Sequence, residues 1–153
     1  MHYIYELSYG KVVIESDGKA ITLLKMAGCT IVTGKKEADA LMDKAAEQLE
    51  EYFAGKRRIF DVPLNPHGTD FQRSVWYALQ DIPYGETRSY KQIAQVIASP
   101  KACRAVGLAN NRNPIWIMIP CHRVIGSNGS LTGYGGGVEM KQRLLELEQR
   151  ILM

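Results

Sequence analysis

Residues 115–119 are five consecutive apolar residues, Ile-Trp-Ile-Met-Ile, and Pro120 ends the run. A run this short and this apolar predicts a β-strand that is buried on both faces. Cys121 and His122 follow the proline directly, so the predicted strand would hold a soft nucleophile and a proton acceptor at its end. Because most Cys-His pairs are only a core cysteine beside an incidental histidine, this interpretation depends on whether other residues converge on the pair.

Composition limits the class of protein. The chain has 153 residues, of which 46% are hydrophobic and 23% charged, as in a soluble globular protein of one domain or two small ones. It has no apolar run near the roughly 20 residues that a membrane-spanning helix needs, and no signal-peptide pattern, so we expect a cytoplasmic location. Three cysteines without a CxxC pair and three histidines predict neither a disulfide framework nor a metal site.

The N-terminal part predicts a small α+β unit without recognisable chemistry. Apolar runs separated by turn signals such as Asp17-Gly18 predict antiparallel strands over residues 3–7, 11–15 and 20–24. Helical spacing of apolar residues follows over 36–53, and residues 59–62 predict another strand. The turn-forming segment 64–69 predicts a domain boundary, which gives domains over 1–65 and 66–153.

The second domain is predicted to be mostly helical. After a helix capped by Thr69 or Asp70, two short helices over 90–98, with Ser89 as cap, and 101–110 surround a tight turn, as in a helix-turn-helix. The sequence has no acidic residue between Glu86 and Glu139, whereas six basic residues give that stretch a charge of +6. This charge favours a partner with phosphates; chance clustering on a solvated face is the alternative.

The second of these helices contains mainly small residues, Ala102, Ala105, Gly107 and Ala109. Such a helix cannot reach base edges with long polar side chains, but its backbone can approach DNA closely, which favours the minor groove. An ordinary helical hairpin packed through alanines is the alternative.

The last helix, over residues 138–152, places a carboxylate on an apolar face. Glu148 projects into the middle of the face formed by Met140, Leu144, Leu145, Leu147, Ile151 and Leu152. A buried carboxylate is costly unless it is paired, and a histidine is its natural partner. A glutamate at the rim of a frayed terminus is the alternative.

Together, Cys121, His122 and Glu148 have the residue types of a nucleophile, a base and an orienting acid. Neighbours on an extended backbone point to opposite sides, so a bridging water would have to connect the cysteine to the histidine. A sulfur nucleophile suits attack on a saturated carbon. Because water does not hydrolyse the resulting thioether, the protein would act once. The glycine-rich loop over 133–137 matches neither dinucleotide nor P-loop spacing.

The motif Pro120-Cys121-His122-Arg123-Val124, preceded by Arg104-Ala105-Val106-Gly107 and Asn113-Pro114, resembles the O6-alkylguanine-DNA alkyltransferases from about Thr69 to Glu148. The resemblance implies an α+β fold. Its parts are a small N-terminal ribonuclease-like α/β domain with antiparallel strands and a mostly helical, winged-helix-like C-terminal domain with a helix-turn-helix. It further implies irreversible transfer of an alkyl group, mainly methyl, from O6-alkylguanine, and from O4-alkylthymine, to Cys121 without a cofactor.

The resemblance also assigns roles. Cys121 is the alkyl acceptor, His122 the water-mediated base, Glu148 its partner, and Tyr90 the proton donor to the purine. Arg104 fills the gap left by a flipped-out nucleotide. The implied DNA contacts are Lys101, Arg104, Ala105, Ser89, Arg112 and Arg123. The implied substrate pocket consists of Asn113, Trp116, Tyr134 and Gly135.

The expected partner is double-stranded DNA that contains O6-alkylguanine, and no membrane is expected as a partner. We expect the protein to bind DNA as a monomer, with or without cooperativity between copies. Two departures from the family are visible: the cysteines and histidines of a structural zinc site are missing, and Trp116 stands where some relatives have a proline. The tryptophan predicts poor acceptance of benzyl groups. Three alternatives are a lesion-binding protein without the reactive cysteine, a cysteine hydrolase that turns over, and a helix-turn-helix regulator.

Overall fold

The computed structural model describes residues 1–32, 34–131 and 137–152, with side chains up to residue 150. The chain divides into two compact units, Met1–His67 and Gly68–Met153. The first combines an antiparallel sheet with a helix and the second is mostly helical, so the predicted α+β class is confirmed. None of the described helices is long and apolar enough to cross a bilayer.

The first unit is built on a three-stranded antiparallel sheet in the order β1-β2-β3, formed by β1 (His2–Leu7), β2 (Gly10–Ser16) and β3 (Ile21–Met26). The predicted turn at Asp17 is confirmed, because its carboxylate accepts hydrogen bonds from the amides of Lys19 and Ala20 at 2.8 and 2.9 Å. Helix α1 (Ala40–Phe53) follows. It starts four residues later than predicted, since Asp39 caps it by accepting from the amide of Met42 at 2.7 Å.

The strand predicted over residues 59–62 is wrong. Side chains take up the backbone groups that a neighbouring strand would need: Gln48 accepts from the amide of Asp61 at 3.1 Å, and Arg57 donates to the carbonyl of Ile59 at 2.9 Å. Ile59 itself is 77% exposed. The apolar residues in segment 59–62 therefore do not form a buried strand.

Within its described residues, the second unit contains four α-helices and a short parallel strand pair. In chain order its elements are α2 (Asp70–Gln80), β4 (Arg88–Ser89), α3 (Tyr90–Val96), α4 (Cys103–Asn111), a 3-10 turn at Cys121–Arg123, β5 (Val124–Ile125) and α5 (Val138–Leu152). The capping boxes at Thr69 and Ser89 fix where α2 and α3 begin. The indole of Trp76 donates to the carbonyl of Ala109 at 2.9 Å and so ties α2 to α4.

Residues 126–130 form a turn closed by a hydrogen bond from the amide of Gly126 to the carbonyl of Ser130, at 2.9 Å. Strand β5, which precedes this turn, pairs in parallel with β4.

The strand predicted over residues 115–119 is also wrong, although all five residues are buried. Asn113 replaces the partner strand: its side chain donates to the carbonyl of Ile119 at 2.8 Å and accepts from the amide of Ile115 at 3.0 Å. The chain folds back on itself at Ile117, whose φ of +72° is rare for a β-branched residue. A buried loop, and not a rigid strand, therefore leads to Cys121.

Candidate active site

Cys121 lies at the start of the 3-10 turn, is 2% exposed and is not in a disulfide. Its amide donates to the carbonyl of Ile119 at 2.8 Å, and its carbonyl accepts from the side chain of Asn110 at 3.3 Å. The backbone of Cys121, the candidate nucleophile, is thus held from both the loop and α4. The expectation that Cys121 and His122 alternate along an extended strand is wrong, because both residues lie in a helical turn.

The predicted pairing of Glu148 with His122 is confirmed. Nε2 of His122 lies 2.6 Å from Oε2 of Glu148, and both side chains are fully buried. Burial lowers the pKa of His122, against the opposing effect of the carboxylate, so the imidazole is neutral at neutral pH. A neutral ring that donates its Nε2 proton to Glu148 keeps a lone pair on Nδ1, and Nδ1 has no hydrogen-bond partner within the described ranges.

Arg123 forms the other half of this network. Its guanidinium donates from Nε to Oε1 of Glu148 at 2.9 Å, from Nη2 to Oε2 at 3.0 Å, and from Nη1 to the carbonyl of Ile82 at 2.8 Å. The residue is 6% exposed. The assignment of Arg123 as a DNA contact is therefore corrected: its charge compensates a buried carboxylate and does not reach the surface.

The carboxylate of Glu148 stays ionised because of these donors. Burial by itself would raise its pKa, but the hydrogen bonds from His122 and Arg123 and the charge of Arg123 outweigh burial and lower the pKa to about 2. The amide of Gly85 supplies one more hydrogen bond, at 3.0 Å. A permanently charged Glu148 can orient His122 and stabilise it when it takes up a proton.

Lys141 is a residue of the site that the sequence interpretation missed. It is fully buried in α5, and its ammonium donates to the carbonyl of Val124 at 2.5 Å. Burial lowers the pKa of Lys141 to about 8, whereas negative charge at Cys121 raises it, so the two side chains interact electrostatically. Lys141 precedes Glu148 by seven residues and shares its apolar helix face, so the same periodicity could have identified it.

The remaining assigned residues belong to α3, α4 and their surroundings. Lys101, Arg104, Ala105 and Arg112 are exposed along or next to α4, as a surface contact requires. Ser89 caps α3, its hydroxyl accepting from the amide of Gln92 at 3.1 Å. Tyr90 opens α3, and its ring faces α4: a Cβ added at Gly107 would lie 3.8 Å from it.

Asn113 and Trp116 are buried in the loop before Cys121. Tyr134 and Gly135 lie outside the described residues. In the portion of the chain that the structure describes, no three His, Cys, Asp or Glu side chains come together as a metal site would require.

Comparison with known proteins covers both units. Residues 1–66 match the ribonuclease-like domain of 6-O-methylguanine DNA methyltransferase, and residues 70–150 match its DNA-binding domain. The chain is 49% identical to the methylated-DNA–protein-cysteine methyltransferase of Methanosarcina acetivorans, over 97% of this chain and 98% of that protein. Identity to the Methanosarcina barkeri protein of the same name is 51%, over 99% of each chain.

Solved structures of methyltransferases are also similar to this chain. Mycobacterium tuberculosis OGT in complex with DNA superposes with a TM-score of 0.93 at 49% identity, covering 98% of this chain and 93% of that one. The O6-methylguanine methyltransferase of the same organism gives 0.87 at 48% identity, over 97% and 92% of the two chains.

Proposed function

The chain belongs to the 6-O-methylguanine DNA methyltransferase family, DNA-repair enzymes that transfer alkyl groups to a protein cysteine, and we propose that Cys121 is the cysteine that accepts the group. The substrate in this proposal is O6-alkylguanine in duplex DNA, and also O4-alkylthymine. The observation that carries the assignment is the buried hydrogen bond between neutral His122, the residue after Cys121, and ionised Glu148.

The first step is activation of the thiol. The Cys121 proton passes through a bridging water to Nδ1 of His122, whose Nε2 keeps its own proton and donates it in a hydrogen bond to Glu148. The imidazolium formed in this way lies against a carboxylate that stays ionised because Arg123 holds it. The ammonium of Lys141 favours the resulting thiolate, since opposite charges in a buried site interact strongly.

In the second step the thiolate attacks the alkyl carbon. The S–C bond forms while the C–O6 bond breaks, and the electron pair of the broken bond stays with O6. Tyr90 donates a proton to the purine ring, which makes guanine a better leaving group. The products are unmodified guanine and an S-alkylcysteine, and the proton that His122 took from Cys121 returns through solvent to Tyr90. A thioether is stable in water, so each protein molecule reacts once.

The lesion reaches a buried sulfur only if the nucleotide leaves the base stack. In the proposal, α4 lies in the minor groove, where Ala105 allows a close backbone approach, and Arg104 occupies the space that the flipped nucleotide vacates. The exposed positions of both residues support this placement. The protein acts as a monomer without a cofactor.

An intact-mass measurement tests the reaction. We expect a duplex with one O6-methylguanine to add a single methylene mass to the wild-type protein, at one equivalent and no more. Cys121→Ser should remain unmodified, and Cys29→Ser, which removes an exposed cysteine, should react like the wild type. Removal of more than one equivalent of lesion per protein, or an adduct on Cys121→Ser, would refute the proposal.

The substrate pocket should accept small alkyl groups more readily than large ones. Trp116 is 4% exposed in the buried loop next to Cys121, so we expect slow reaction with O6-benzylguanine relative to O6-methylguanine. Trp116→Pro should narrow the difference between the two inactivation rates. Equal rates in the wild type would rule out this role for the tryptophan.

A further inference from the structure

The exposed face of α4 has one large apolar side chain at its centre. Its exposed residues are Arg104, Ala105, Leu108, Asn111 and Arg112. This i, i+1, i+4, i+7, i+8 spacing keeps them on one face at 3.6 residues per turn. Leu108, in the middle of this face, is 57% exposed.

The fold leaves Leu108 no way to turn inward. The opposite face of α4 is occupied by Val106, Ala109 and Asn110, each at most 2% exposed. The bonds from Trp76 to the carbonyl of Ala109 and from Asn110 to the carbonyl of Cys121 fix the rotation of the helix about its axis. Leu108 therefore faces outward together with the two arginines.

We propose that Leu108 is an apolar anchor that packs against the deoxyribose rings lining the minor groove. This inference rests on the proposed function, because it assumes that α4 enters DNA. The flanking charges identify the occupant: Arg104 and Arg112 lie on either side of Leu108 in a stretch of sequence without acidic residues, which suits a polyanion. Arg112 contacts a phosphate and Arg104 enters the duplex, while the sugar C–H groups between them offer an apolar surface to the leucine.

An apolar contact and a phosphate contact differ in their response to salt. Neutralising a phosphate releases counterions and gives affinity a steep salt dependence, whereas burying apolar surface does not. Leu108→Ala should therefore raise the Kd for an unmodified duplex by about 5- to 10-fold at every salt concentration and leave the slope of log Kd against log salt unchanged. Arg112→Ala should make that slope shallower by about 1.

The experiment is a fluorescence-anisotropy titration of unmodified duplex over a series of salt concentrations. Ile59→Ala is the matched control, since Ile59 is an equally large aliphatic residue, 77% exposed, in the first unit. It should bind like the wild type. Leu108→Lys should not regain wild-type affinity at high salt, where an added charge is screened. An unchanged Kd in Leu108→Ala, or a Leu108→Lys variant as good as the wild type at high salt, would overturn the inference.

A second readout separates this inference from the proposed function. With methylated duplex in excess and well above its Kd, Leu108→Ala should still reach an end point of one methyl group per protein molecule, because Leu108 only helps to bind DNA. If the wild type acquires none, the proposed function fails. If the wild type and the variant both react and bind with equal affinity, only the role of Leu108 fails. Equal melting temperatures of the two proteins exclude loss of folding as the cause of weaker binding.

Discussion

Glu148 accepts hydrogen bonds from His122, Arg123 and the amide of Gly85 while it is fully buried. Replacing it with glutamine would leave Arg123 as a buried cation without its counter-charge. Loss of one partner of such a pair typically costs about 3–5 kcal/mol. We expect Glu148→Gln to be destabilised by about this amount at pH 7 in urea unfolding, and to transfer methyl groups at least about 10-fold more slowly. Glu146→Gln, an exposed change on the same helix, should alter neither quantity.

The stabilisation by Glu148 should depend on pH in a defined direction. Its pKa is lowered from 4.5 to about 2 in the folded protein, so its contribution is fully present above pH 4.5 and is lost as the pH falls toward 2. The stability difference between wild type and Glu148→Gln should therefore shrink as the pH is lowered through this window. A difference that stayed constant from pH 5 to pH 2.5 would contradict the assignment of the ion pair.

Replacing Lys141 should slow methyl transfer but stabilise the protein, whereas replacing Glu148 should reduce both the rate and the stability. Its pKa falls from 10.5 to about 8 on burial, which means that its charge destabilises the fold at neutral pH and that this cost fades as the pH rises from 8 to 10.5. We expect Lys141→Met to gain about 2 kcal/mol in unfolding free energy at pH 7 after the loss of one carbonyl hydrogen bond. Methyl transfer should become slower, because the thiolate loses a neighbouring cation.

Both effects of Lys141→Met are measured against Arg143→Met, an exposed change in the same helix that should leave stability and rate unchanged. A variant that transfers methyl groups at the wild-type rate would show that the ammonium does not assist Cys121.

At the scale of elements, two glycines of the second unit should respond differently to the same substitution. Gly107 lies inside α4, and a Cβ there would meet only the ring of Tyr90, at an ordinary 3.8 Å. Because glycine is a poor helix former, Gly107→Ala should stabilise the protein by about 0.5–1 kcal/mol. A Cβ at Gly68 would lie 2.5 Å from the ring of buried Trp76, so Gly68→Ala should destabilise it. Thermal unfolding compares the two, and equal shifts would contradict the packing described.

The elements also show what local sequence could predict. The starts of α2 and α3 follow from Thr69 and Ser89, whose capping boxes are complete within four residues and need no tertiary contact. The conformation of residues 115–119 could not be predicted in this way. Their burial was correctly expected, but the side chain of Asn113 satisfies the backbone groups that a strand would have paired. Apolar runs indicate burial, and a single polar side chain can decide the backbone conformation.

At the scale of the whole molecule, charge is unevenly distributed. Burial reduces the number of basic residues that can contact DNA below the number counted in the sequence. Six basic residues lie between Glu86 and Glu139. Of these, Arg123 is committed to Glu148 and Arg88 is half-buried beside Glu86, which leaves Lys91, Lys101, Arg104 and Arg112 exposed. Because Arg104 is proposed to enter the duplex, phosphate contacts from the other three predict a slope of log affinity against log salt of about −3. A slope near −7 in DNA titrations would require cations from outside this stretch.

The candidate site was predictable where it depended on periodicity and motif. Glu148 was found because a carboxylate interrupts an apolar helix face, and Cys121 with His122 because of their motif. The burial of Arg123 was not predictable, since an arginine in a basic stretch looks like a DNA contact until Glu148 is seen to need two cationic donors. Whether a basic residue is exposed or buried beside a carboxylate depends on contacts between residues that are distant in sequence.

The placement of Lys141 has a consequence for the lifetime of each molecule. Before reaction, Cys121 exchanges its proton with His122, and the thiolate form offsets part of the cost of burying the ammonium. In the proposed reaction, methylation turns that thiolate into a neutral thioether and leaves the cation in place. The used protein should therefore melt at a lower temperature than the unused one, and this difference should vanish in Lys141→Met. Since cells degrade proteins that unfold readily, the chemistry of repair would itself mark a spent molecule for removal.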